Sequence, residues 1–94
     1  MKMNVYEGTL HNGCREVLVN DLPLLYYFEQ PNWGFCGTGP SKVAEAIIIN
    51  EFGKGCDRQL IDDFKEQVVA KWPGREGWTL TSQQIKAWQE EINA

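Results

Sequence analysis

A chain of 94 residues with 43% hydrophobic and 23% charged side chains has the balance of one globular domain, too short for two cores and too apolar for disorder. Nine Lys and Arg stand against thirteen Asp and Glu, a formal charge of −4 without a basic stripe, which argues against nucleic acid as a partner. No apolar run approaches the roughly 20 residues needed to cross a bilayer, so no membrane contact is expected either.

The start, Met1-Lys2-Met3-Asn4, leads into strand-like sequence without the apolar stretch of a signal peptide. Cys14, Cys36 and Cys56 are odd in number, far apart, and form no Cys-x-x-Cys pair. Both observations favour a cytoplasmic protein with reduced thiols. Aromatics make up 12% of the chain. Each buried aromatic removes roughly 150–250 Å² from water, so a few large side chains can supply the core of a domain this small.

In chain order, Met3 to Leu10 and Cys14 to Asn20 flank His11-Asn12-Gly13. Asn-Gly between two β-prone runs predicts a hairpin, because a type I′ turn needs positive φ at both central positions. Val17 and Val19 alternate with Leu18, so one face is buried, and Arg15 falls on the Val17 side at its rim. Asn20-Asp21-Leu22-Pro23 reads as the turn that stops the second strand, since proline cannot donate to a ladder. Leu24-Leu25-Tyr26-Tyr27-Phe28 is too short to show a period; it fits a third strand or a helical turn, and irregular or short helical structure is expected. Gln30-Pro31-Asn32 is a loop that leads into Trp33-Gly34-Phe35-Cys36-Gly37-Thr38-Gly39-Pro40.

Pro40 suits the first position of a helix over residues 40–53, capped by Thr38 or Gly39 and stopped by Gly53 and Gly55. Val43, Ala44, Ile47, Ile48 and Phe52 form its buried stripe, with Ile49 just beyond it, while Lys42, Glu45 and Asn50 fall elsewhere. Asp57 caps a second helix over residues 57–72. Its Leu60, Ile61, Phe64, Val68 and Trp72 share one face, and Asp62, Asp63, Lys65 and Glu66 lie on the other. Pro73-Gly74 ends it. Thr81-Ser82-Gln83-Gln84 is a capping box that opens a third helix over residues 82–93, with Leu80 and Ile85 placed as a hydrophobic staple. The expected fold is α+β in a single domain, residues 1–94: an N-terminal β-hairpin over residues 1–22, with or without a third strand, packed on three α-helices.

Trp33-Gly34-Phe35, Gly37-Thr38-Gly39-Pro40 and Val43-Ala44-Glu45-Ala46-Ile47-Ile48 together resemble a W-G-Y-x-G-[ST]-G-P-x-x-L-A-x-A-I-L pattern. It marks a family of small proteins without assigned function from bacteria and their phages and plasmids. Phe64-Lys65, Val68-Val69-Ala70, Trp78-Thr79-Leu80-Thr81, Ile85 and Trp88 are similar to further positions of that family. The resemblance covers residues 29–92 and implies a fold and a setting among mobile genetic elements, with no activity attached. Cys36 stands where the family often has Gly.

A glycine-rich loop entering a helix can bind an anion through unpaired backbone N–H groups, which makes Gly37, Thr38, Gly39, Ser41 and Lys42 a candidate ligand site. The spacing is neither a dinucleotide fingerprint nor a phosphate loop, and Ser41-Lys42 reverses the required order; tight packing of the loop is the stronger reading. His11, Cys14, Cys36 and Cys56 are zinc-ligand types, but their spacing matches no known set, so no metal or cofactor is expected. The lone histidine on a hairpin tip, with no nucleophile and base close in sequence, offers little to catalysis. Tyr26, Tyr27, Phe28, Trp33 and Phe35 crowd into ten positions, more aromatic surface than one loop hides. Tyr26, Tyr27, Trp33 and Phe35, with the acidic helix face of Asp62, Asp63 and Glu66, are therefore the expected protein-binding residues. The expected function is binding to another protein or to itself, without catalysis; a small-ligand or nucleotide-binding module at the glycine-rich loop is the alternative.

Overall fold

Asn12 and Gly13 adopt φ of 52° and 81°, the two positive values that a type I′ turn requires. They close the expected hairpin between β1 (Val5–His11) and β2 (Cys14–Val19) in a computed structural model that describes residues 3–93. Residues 1, 2 and 94 of the expected domain lie outside the described residues. Asn20 and Asp21 make a second turn with φ of 52° and 67°, a conformation their short polar side chains tolerate.

That turn stops β2 as expected, but it is shorter than expected, since Leu22 and Pro23 already belong to the next strand. It leads into β3 (Leu22–Leu25), antiparallel to β2. Pro23 is accommodated because β3 lies at the sheet edge, where a missing N–H costs no ladder bond. Leu24 to Phe28 is thus divided: two residues join the strand, and Tyr27–Glu29 forms a single 3-10 turn. A fourth strand, β4 (Trp78–Thr81), pairs antiparallel with β1 and completes a sheet of order β3-β2-β1-β4. The fold is α+β, with the N-terminal strands preceding the helices.

Tyr6, Val17 and Leu80 share the sheet face that carries the core, since Tyr6 is opposite Leu80 and Gly8 is opposite Val17 in the registers. Val43, Ala44, Ile47 and Ile48 of α1 (Thr38–Phe52) pack there, as the stripe predicts. Ile49 is half-buried against the same core. Phe52 is the exception and is exposed. The helix begins two residues earlier than expected, with Gly37 as its cap and Pro40 in the third position. A first-turn N–H has no partner within its helix, so proline is tolerated there as well as at the first position.

The second helix is shorter than its apolar spacing suggests. Asp57 does cap it, its carboxylate accepting the Gln59 N–H at 3.0 Å, but α2 (Arg58–Gln67) stops before Val68. The Val69 carbonyl instead accepts the Gly34 N–H at 3.0 Å, and Trp72 turns to stack on Trp78 at 4.1 Å between ring centres. Tertiary contacts have overridden the helical period. In α3 (Ser82–Ile92) the capping box forms as written: the Gln84 N–H reaches the Thr81 hydroxyl at 3.2 Å, and the Thr81 N–H reaches the Gln84 side chain at 2.9 Å. Ile85 is buried, and Trp88 meets Phe64 edge to face at 5.1 Å.

Trp78 lies across Gly8, its partner on β1, so closely that a methyl group there would overlap the indole. Gly8→Ala should therefore destabilise the domain by about 1–3 kcal/mol, the usual cost of overpacking. Urea denaturation measures this, and an unchanged midpoint would show that Trp78 moves aside freely.

Candidate functional site

The 3-10 turn that follows β3 presents three consecutive aromatic side chains. Tyr26, Tyr27 and Phe28 are 46%, 58% and 66% exposed, and Phe35, seven residues on from Phe28, is 48% exposed. Phe28 stacks on Tyr26 at 5.2 Å and meets Tyr27 edge-on at 5.7 Å. The backbone that carries the rings is tied down. Glu29 accepts the Tyr26 N–H on its carboxylate at 2.8 Å, and its carbonyl accepts Lys42 Nζ at 2.9 Å. Gln30 then reverses the chain with φ of 59°. These contacts give the aromatic lip a defined shape in spite of its exposure.

Trp33, expected beside these residues, is fully buried. Its indole N–H donates to the Glu76 carbonyl at 2.8 Å, its ring meets Trp78 edge-on at 5.6 Å, and the Arg15 guanidinium covers it at 5.3 Å. Gly34 follows with φ of 89°, and a side chain there would come within 2.7 Å of the Gly74 Cα. The motif's first tryptophan and glycine therefore close the core, and Phe35 returns to the surface.

The candidate ligand residues are mostly engaged with their own backbone. Ser41 donates both its N–H and its hydroxyl to the Gly37 carbonyl, at 3.1 and 3.0 Å, and Lys42 bonds the Glu29 carbonyl. Thr38 is exposed, Gly37 and Gly39 are half-buried, and none of the five lines either of the two cavities described below. On α2, Asp62 lies 3.5 Å from Arg58, Asp63 accepts from the Gln59 amide at 2.8 Å, and Glu66 is exposed. Arg58 also bonds Glu45 at 2.7 Å, so part of the acidic face is locally neutralised.

Cys14 and Cys36 are exposed, and Cys56 is half-buried. Among the described residues no three His, Cys, Asp or Glu side chains converge as a metal-binding group. No helix among them is long and apolar enough to cross a membrane.

The larger cavity, 640 Å³, lies where β1 begins, α1 ends and α3 begins. Here one oxygen of Glu51 accepts three donors: the Tyr6 hydroxyl at 2.8 Å, the Ser82 hydroxyl at 2.9 Å and the Asn4 amide at 3.2 Å. Ser82 also accepts the Asn4 backbone N–H at 2.8 Å, and the Asn50 amide donates to Tyr6 at 2.9 Å. This is a clamp that joins three elements through one carboxylate. Periodicity concealed it: Glu51 and Asn50 fall off the buried stripe of α1, and nothing local links them to Asn4 or Ser82.

Burial pushes the Tyr6 hydroxyl up to about 12; the Glu51 carboxylate that it bonds reinforces the shift, against amide donors from Asn50 and Asn4.

By its architecture this is a small α+β domain with one antiparallel four-stranded sheet and three helices. The chain belongs to DUF6166, a family of unknown function, whose model matches residues 26–91. That span contains the lip, the glycine-rich motif, α1, α2, β4 and all of α3 but Ile92, and leaves β1, β2 and β3 outside it. No curated protein and no solved structure matches the chain.

Because the folded pKa of Tyr6 lies above its unfolded value near 10, the linked stability is complete below pH 10 and is lost as pH rises through about 12. The loss should amount to roughly 3 kcal/mol. Tyr6→Phe should be less stable than wild type at neutral pH, with the gap narrowing between pH 10 and 12. Chemical denaturation across that range tests this; a constant gap would show that the hydroxyl is not held in its neutral form.

Proposed function

We propose that this protein is a small accessory module that works by binding another protein, without catalysis. The observation that supports the reading is the lip: Tyr26, Tyr27 and Phe28 are exposed together, in contact with one another, and fixed by Glu29 and Lys42. Exposed aromatics packed into one patch provide a large contact area at low entropy cost, and such residues dominate protein interfaces. Phe35 is a further exposed aromatic on the same loop, while Asp62, Asp63 and Glu66 offer a separate acidic surface for a basic rim on the partner. The resemblance carried by the glycine-rich motif adds a setting in phages and plasmids, where a host or anti-defence protein is a reasonable target. Self-association through the same lip is the other form of this proposal. The glycine-rich helix start favours ligand binding less, because Ser41 and Lys42 are already engaged with backbone carbonyls.

Trp33→Ala would be a poor probe of binding, since removing a buried tryptophan costs about 3–5 kcal/mol and would report on folding. Tyr26→Ser combined with Phe28→Ser is better: stability should stay within about 0.5 kcal/mol of wild type, as for exposed positions generally. Affinity capture from bacterial lysate, with sedimentation of the purified protein alongside, should show the loss of a bound protein or of the dimer. If capture and sedimentation of the double variant equal those of wild type, the lip is not the binding surface.

A further inference from the structure

The smaller cavity, 240 Å³, opens beside the lip and is lined by Arg15, Tyr27, Gln30 and Asn32 together with the hairpin tip. Its lining includes no carboxylate. Arg15 belongs to no ion pair among the described residues, although the chain carries a net charge of −4. One Nη2 N–H goes to the Gly74 carbonyl, the guanidinium lies over Trp33, and the buried Nε has no hydrogen-bond acceptor. The Nε is closed to solvent, so an anion in the hollow would be met by Nη1, which has no partner among the described residues. A half-buried cation with no carboxylate beside it is unfavourable unless an anion completes it.

The neighbours supply more donors. Asn32 accepts the Trp33 backbone N–H on its side-chain oxygen at 2.9 Å, which leaves its amide nitrogen available, and the Tyr27 hydroxyl and the Gln30 side-chain amide have no partner among the described residues. Gly39 permits the close approach of Asn32, because a side chain there would come within 2.5 Å of the Asn32 Cβ. The volume suits a compact head group and little more, being below the usual range for drug-sized ligands.

We infer that this hollow is an oxyanion site, taking a carboxylate or phosphate group against Arg15 with Asn32 and Tyr27 as supplementary donors. Charge-assisted bonds to guanidinium are the strong ones, and a planar fork of N–H groups matches both oxyanions. The site needs no partner protein and stands whether or not the lip binds one.

The test is a titration of the isotope-labelled full chain with sodium phosphate and, separately, sodium acetate at constant ionic strength, followed by NMR. Saturable shifts should appear at the Arg15 Nε–H, at the Asn32 side-chain amide and at the backbone of Gly13 and Cys14. Tighter binding of phosphate assigns the site to phosphate groups and tighter binding of acetate to carboxylates; either supports the inference. Arg15→Gln should weaken binding by about tenfold or more. Since Arg15 also covers Trp33, Asn32→Asp is the second variant. It keeps an acceptor for the Trp33 N–H while placing a carboxylate in the hollow, so binding should vanish without a fall in thermal midpoint. Tyr26→Ser with Phe28→Ser should leave the titration unchanged, which separates this site from the lip. No saturable shift with either salt, or unaltered binding by Asn32→Asp, would overturn it.

Discussion

Burial of the Trp33 indole is the constraint on which much of this structure depends. A side chain of that size removes roughly 150–250 Å² from water, worth about 4–6 kcal/mol before entropy is counted. Its N–H cannot be buried unpaired without giving back much of that gain, and the Glu76 carbonyl supplies the acceptor. Glu76 lies in the connection between the second and third helices, so one hydrogen bond ties that connection to the glycine-rich loop. Gly34 tightens the junction by approaching Gly74 and bonding the Val69 carbonyl. Val69 lies in the 3-10 turn beyond α2, and Trp72 stacks on Trp78 as β4 pairs with β1. The end of the helix and the fourth strand belong to the same junction.

The same junction accounts for the lip. With Trp33 directed inward and Gln30 reversing the chain, the residues before it are left on the outside, and Glu29 and Lys42 hold them in place. The W-G-F segment thus divides its aromatics between core and surface. Tyr26, Tyr27 and Phe28 are available for contact because Trp33 already fills the space beneath the loop.

Two polar clusters meet the cost of burial in different ways. Around Glu51, hydroxyls and amides from β1, α1 and α3 satisfy one another, and the result is a clamp. Around Arg15, donors gather without an anion, and the result is a site. Residue type does not separate the cases, since both use ordinary polar side chains at the margins of the core. What separates them is whether donors and acceptors balance, and that balance is set by segments far apart in sequence.

Local chemistry alone determined the Asn12-Gly13 hairpin, the capping box at Thr81 and Gln84, and the stripe of α1. Each rests on a turn preference or a spacing of a few residues, so no distant contact was needed to read it. Only the tertiary structure decided that Leu22 starts a strand, that α2 stops at Gln67, and that Trp78 to Thr81 pairs with β1. Those outcomes depend on the free edge of β2, on the Gly34–Val69 bond and on a partner at the other end of the chain. The candidate sites divide the same way. The aromatic crowding from Tyr26 to Phe35 was legible as composition, but which rings face water depends on Trp33 finding its acceptor at Glu76. Arg15 was legible as a rim residue; its missing counter-ion and its neighbour Asn32 were not, because a hollow forms only where the loop folds back over the hairpin tip.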